Sequence, residues 1–147
     1  MSLDFENIKK ILIPVDGSSP SVRAAELGIS AAKFLKAQII AVYVVDVVVL
    51  EQISKVAERE EVESELREDG EKNLTFVVGL AKKLGVKASF QIAKGLPFEE
   101  IVHLATDLNV DLIVMGTYGR RGADRILIGS VAERVIRYSP CPVLVVK

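Results

Sequence analysis

The chain is 147 residues long, with half of its residues hydrophobic, 27% charged and 5% aromatic. That is enough apolar material for one cored domain, and it excludes a disordered, collagen-like or disulfide-scaffold chain. Nineteen Lys and Arg against twenty Asp and Glu leave a formal charge of −1, so the basic excess needed for non-specific binding to nucleic acid or anionic lipid is missing.

One cysteine, Cys141, allows neither an intrachain disulfide nor a cysteine metal cluster, and the single His103 removes most zinc-site combinations. The start, Met1-Ser2-Leu3-Asp4-Phe5-Glu6, is acidic and unlike a signal peptide. The most apolar stretch, 39–50, is interrupted by Asp46 and falls short of the ~20 residues that span a bilayer. The expectation is one soluble, cytoplasmic domain over 1–147, with no membrane or nucleic-acid partner.

Five short runs rich in Val and Ile read as strands buried on both faces: 10–15, 38–45, 88–92, 111–115 and 142–146. Pro14 suits the end of the first, where a missing ladder donor is tolerated. Between them lie four helical patterns. The first runs from about 20 to 35, with Ser19 placed to cap it, Pro20 at the first helical position, and Val22, Ala25, Ile29, Ala32 and Phe34 or Leu35 facing inward. The second spans about 51–84: a charged half with Glu63–Arg67 and similar pairs at i,i+4, then a stripe of Leu74, Val77, Val78, Ala81 and Leu84. Gly70 is a candidate break between the halves. The third starts at Pro97 and buries Ile101, Leu104, Ala105 and Leu108. The fourth follows Gly129, with Val131, Val135 and Ile136 inward, and Ser130-Val131-Ala132-Glu133 has the form of a capping box.

Strictly alternating strands and helices predict an α/β fold: one three-layer domain with a parallel sheet covered by helices on both faces. The pattern leaves the strand order open.

Ligands of such sheets bind beyond the carboxyl ends of the strands. Two strand-end loops carry unusual residues. One is Asp16-Gly17-Ser18-Ser19. The other runs Gly116-x2-Gly119-x9-Gly129-Ser130, with Gly122, Arg120, Arg121 and Arg125 inside it. Glycines let a ligand approach main-chain N–H groups, and the loop feeds a helix N-terminus. These features describe a phosphate cradle; they also suit a loop of tight turns in which Ser130 only caps its helix. Neither a Walker A loop nor a G-x-G-x-x-G after the first strand occurs.

Ile11-Leu12-Ile13-Pro14-Val15-Asp16-Gly17-Ser18, Asp111-Leu112-Ile113-Val114-Met115-Gly116, the glycine pattern above and the ending Ser139-Pro140-Cys141-Pro142-Val143-Leu144-Val145-Val146 together resemble the universal stress protein family, in its ATP-binding subgroup. The resemblance covers essentially the whole chain. It implies a five-stranded sheet in the order 3-2-1-4-5, which puts both loops in one crevice. It further implies that Pro14, Val15 and Asp16 line the ribose and adenine side and that Val44 meets adenine through its backbone. Met115, Gly116, Gly119 and Arg120 would follow the ribose and phosphates, with Gly129, Ser130 and Val131 holding the terminal phosphates. Family members often show Ser and His where this chain has Thr117 and Tyr118, which leaves an imidazole contact unsupported. Asp16 has a second reading as a turn residue bonded to its own backbone, and Arg120 as a solvated side chain.

The ligand so implied is ATP, with Mg²⁺ arriving on the triphosphate. The partner implied is a second copy, paired antiparallel through the last strand, although a covering loop would also protect that edge. A nucleotide-dependent regulatory, stress-response homodimer is the leading function. The alternatives are a slow ATPase or phosphoryl-transfer enzyme, a variant binding AMP or a cyclic nucleotide, and a structural protein indifferent to nucleotides. Asp124 is the one carboxylate in the glycine loop, which holds neither His nor Gln to orient a water. On the cradle reading, Gly129→Val blocks phosphate and leaves the fold intact. His103 reads as a surface or boundary residue, and a small buried role fits Cys141 better than redox work.

Overall fold

The computed structural model describes residues 3–118 and 128–147. After a short 3-10 turn (Phe5–Asn7), the elements are β1 (Lys10–Pro14), α1 (Ser19–Leu35), β2 (Gln38–Asp46), α2 (Val47–Glu51), α3 (Val56–Lys83), β3 (Ala88–Gly95), α4 (Pro97–Asp107), β4 (Leu112–Gly116), α5 (Ser130–Tyr138) and β5 (Val143–Val146). The strands form one all-parallel sheet in the order β3-β2-β1-β4-β5. The α/β class and the strand order implied by the family resemblance both hold.

Successive strand residues face opposite sides of a sheet, and here both sides are covered. Ile11, Ile13, Ile39, Ala41, Tyr43, Val45 and Val114 pack with the buried residues of α1 and α3. Leu12, Ile40, Val42, Ile113 and Met115 pack with those of α4 and α5. Two-sided burial is why β1, β2 and β4 read as continuous apolar runs; the edge strands β3 and β5, expected to be buried on both faces as well, contain no buried residue.

The structure corrects several local expectations. The helix expected over about 51–84 is α3, but it begins only at Val56; a separate short helix, α2, precedes it at Val47–Glu51. Asp46 Oδ1 accepts from the Val48 amide at 2.9 Å and caps α2. Arg59 then donates to the Ile53 carbonyl through Nε at 3.2 Å and Nη2 at 2.9 Å, fastening the turn before α3. Gly70 breaks nothing: it lies inside the continuous α3 and is buried there. Ser18, not Ser19, caps α1, its hydroxyl accepting from the Ser21 amide. Gly129 is the N-cap of α5 and Ser130 already lies within the helix, so there is no capping box. Of the pair Phe34 or Leu35, it is Leu35 that packs against the core while Phe34 is exposed; Leu84 and Ile136 are exposed rather than inward, and inward packing on their helices is carried by neighbours such as Ala81 and Val135.

At the switch between β1 and β4 the cross-strand register is short, Ile11 opposite Leu112 and Leu12 opposite Ile113. Asp111 Oδ2 accepts from the amides of Lys9 and Lys10, both at 2.9 Å, and ties the two strands together at their amino ends.

Candidate functional site

A cavity of about 420 Å³ opens at the carboxyl ends of β1, β2 and β4, a size within the usual range for small-molecule sites. Nine of the residues singled out in the sequence line it. Pro14, Val15 and Asp16 come from the end of β1, Val44 from β2, Met115 and Gly116 from the end of β4, and Gly129, Ser130 and Val131 from the start of α5. Gly119 and Arg120 lie outside the described residues, as do Arg121, Gly122, Asp124 and Arg125.

The two ends of the cavity differ chemically. On the β2 side the lining is Val42, Tyr43, Val44, Val49 and Leu66, apolar except for Asp46 at the end of β2. At the other end stands the first turn of α5, which no side chain caps. The first amides of a helix lack intrahelical partners and carry a partial positive charge, so that end favours an anion. Among the described lining residues there is no Lys, Arg or His; the helix terminus supplies the positive potential there.

Between the ends stands one carboxylate, Asp16, which follows β1, the strand between β2 and β4. Asp16 Oδ1 accepts from the Ser18 amide at 2.9 Å, and the Asp16 amide donates to Ser21 Oγ at 3.1 Å. The turn reading of Asp16 is therefore real. Yet its second oxygen accepts no hydrogen bond among the described residues, and the side chain still lines the cavity. Asp46, the α2 cap, lines it as well.

Two glycines are fixed by close approach. A Cβ on Gly116 would stand 2.8 Å from Pro20 Cβ and 2.9 Å from the Pro20 carbonyl carbon, so the N-terminus of α1 seats directly on the end of β4. A Cβ on Gly129 would stand 3.1 Å from Tyr118 Cα and 3.2 Å from the Thr117 carbonyl oxygen. Gly129 thus packs on backbone rather than only fronting open space, and Gly129→Val would disturb the site's frame, contrary to the expectation from sequence.

Sequence reasoning missed Asp46, Val49, Leu66, Pro97 and Ile101 as lining residues. Asp46 had a usable signal, a carboxylate at the end of an apolar strand run. Leu66 had none, since its place depends on how α3 packs.

Outside the cavity, Cys141 is half-buried, with Sγ 3.6 Å from Ser139 Oγ, and burial pushes its thiol pKa up. His103 is exposed on α4. No group of three metal-ligating side chains occurs among the described residues, and no helix among them is long and apolar enough to cross a membrane.

Residues 7–147 match the universal stress protein family. Universal stress protein MJ0531 of Methanocaldococcus jannaschii is 46% identical over 143 residues, covering 97% of this chain and 84% of that protein. The solved structure of MJ0577, from the same organism, superposes with a TM-score of 0.84 at 33% identity, covering 95% of this chain and 96% of the other. A universal stress protein solved in complex with cAMP shares the fold with a TM-score of 0.67 at 24% identity, covering 95% and 96% of the two chains.

Proposed function

The chain belongs to the universal stress protein family, and on that premise we propose that the cavity binds an adenine nucleotide, with ATP as the leading ligand. The reading rests on one observation above all: a single cavity joins an apolar end, a central carboxylate and an uncapped helix terminus. A nucleotide has that same order of base, sugar and phosphate.

In this reading the base packs among Val42, Val44 and Val49, with the Val44 backbone facing its edge. Asp16 accepts from ribose hydroxyls through the oxygen its turn leaves open, a role like that of the acidic residue in dinucleotide folds. Met115 and Gly116 follow the sugar, and the amides at Gly129, Ser130 and Val131 take the terminal phosphates. Gly119 and Arg120 complete the phosphate side, and Mg²⁺ arrives with the triphosphate. A cAMP complex on the same fold is support at the level of fold, and it makes cyclic and monophosphate nucleotides the competing ligands.

The protein then acts as a nucleotide-responsive regulator in the cytoplasm, assembled as a homodimer. β5 is a sheet edge whose four residues are all apolar, with Leu144 exposed. An edge of that kind pairs readily with another strand, and a second copy supplies one.

The test is to denature freshly purified protein and identify any nucleotide released, then titrate stripped protein calorimetrically with ATP, AMP and cAMP, with and without Mg²⁺. Intact ATP after prolonged storage supports the binding module, whereas ADP or AMP points to turnover. No released nucleotide and no heat with any of the three would end the proposal.

A further inference from the structure

The inward stripe of α3 runs Leu66, Gly70, Leu74, Val77 and Ala81. Leu74, Val77 and Ala81 are buried side chains of the core, while Gly70 is buried with nothing to contribute. Its place in the stripe is taken by the ring of Tyr43, projecting from β2. A Cβ on Gly70 would stand 2.7 Å from Tyr43 Cγ and 2.9 Å from Cε1, and closer still to Cδ1. No aromatic ring that is 97% buried can move aside cheaply for it (Tyr43 is 3% exposed). Glycine inside a helix costs about 1 kcal/mol relative to alanine, so close approach, not helix propensity, accounts for the residue.

Leu66 lies four residues before Gly70, hence on the same helix face one turn away. It packs against the same core cluster as Tyr43, and both line the apolar end of the cavity. The depth at which α3 seats on the Tyr43 ring therefore sets how far Leu66 reaches into the cavity wall.

We propose that Gly70 is a positioning residue for base recognition: its missing side chain lets α3 settle on Tyr43 and carries Leu66 into the wall against which the base packs. This deepens the nucleotide reading above and rests on it. The consequence is selective, because the phosphate end is built by other elements, β4 and α5; α3 approaches the loop after β1 at Asn73, against Gly17, and not at the first turn of α5.

The experiment measures the affinities of full-length wild-type, Leu66→Ala and Gly70→Ala proteins for ATP and for sodium tripolyphosphate, which lacks a base. ATP affinity should fall about fivefold in Leu66→Ala and about tenfold in Gly70→Ala, consistent with the energies of lost contact and overpacking. Tripolyphosphate affinity should stay within about twofold, since its contacts are unchanged. In a Tyr43→Val background, where the ring no longer obstructs a methyl, Gly70→Ala should leave ATP affinity within about twofold; that pair decides the matter should Gly70→Ala alone not fold. Unchanged ATP affinity in folded Leu66→Ala would overturn the inference. So would a parallel loss of ATP and tripolyphosphate affinity, or an equal effect of Gly70→Ala in both backgrounds. Wild-type protein that binds no ATP refutes the nucleotide reading itself, so the two failures are distinct.

Discussion

The main-chain amide of Gly129 donates to the carbonyl oxygen of Thr117, tying the entry of α5 to the residue that follows β4. A valine at 129 would press on that bond from 3.2 Å and on Tyr118 Cα from 3.1 Å. Gly129→Val is therefore expected to lose about 1–3 kcal/mol of stability, the usual range for overpacking, along with nucleotide affinity. Denaturant melts of the ligand-free variant check this; a melt identical to wild type would show that the site's frame tolerates the branch.

Ser130→Pro is the cleaner probe of the phosphate end. Ser130 occupies the first position of α5, where proline fits and no intrahelical bond is lost. Gly129 already has the extended backbone, φ −76° and ψ 162°, that a residue before proline adopts. Stability should stay within about 0.5 kcal/mol, while ATP affinity drops about tenfold through the lost amide donor. Ser130→Ala, which keeps the amide, should bind nearly as wild type. Equal calorimetric affinities for the Pro variant and wild type would remove this amide from the cradle.

Glu63 bridges α3 to β3. Its Oε1 lies 2.5 Å from Lys94 Nζ, and its Oε2 3.2 Å from Arg67 Nε. Lys94, and after it Arg67, hold the carboxyl below its ordinary value of 4.5. A carboxylate whose pKa is lowered on folding stabilises the fold above its unfolded pKa, and that contribution disappears as pH falls through the folded value. Stability curves of wild type and Glu63→Gln should therefore differ at neutral pH and converge below pH 4.5. A constant gap across that range would contradict the assignment.

Cys141 should alkylate more slowly than a free cysteine at neutral pH, because its thiol pKa is raised by burial and the thiolate is the reacting form. Iodoacetamide labelling followed by mass spectrometry against a peptide control reads this directly. Equal rates would refute it.

Leu144→Lys places a charge on the β5 edge, a device that natural sheets use to prevent pairing. The wild-type chain is expected to sediment as a dimer and the variant as a monomer. A monomeric wild type would remove β5 as an assembly surface.

The centre of the sheet was legible because its strands are buried on both faces: Ile11-Leu12-Ile13 and Ile113-Val114 admit few other readings. The β1 and β4 contributions to the cavity were legible too, since glycines and an acid at strand ends mark a crevice wherever the strand order reverses. What escaped was set by packing at a distance. Val47-Val48-Val49-Leu50 continues an apolar strand run, so the cap from Asp46 and the clasp of Arg59 on Ile53 are visible only in three dimensions. Gly70 looked like punctuation because a glycine in a helical pattern has the same appearance whether it interrupts the helix or receives a ring from another element. Leu66 followed from that second circumstance and could not be read before it.

The Asp111 carboxylate fastens β1 to β4 at the floor of the sheet, and their register spans two residue pairs before the cavity begins. The two strands are thus riveted at the end opposite the cavity. One acidic side chain, Asp111, outside the cavity lining, therefore anchors the two strands whose other ends furnish Asp16 and Gly116 to it.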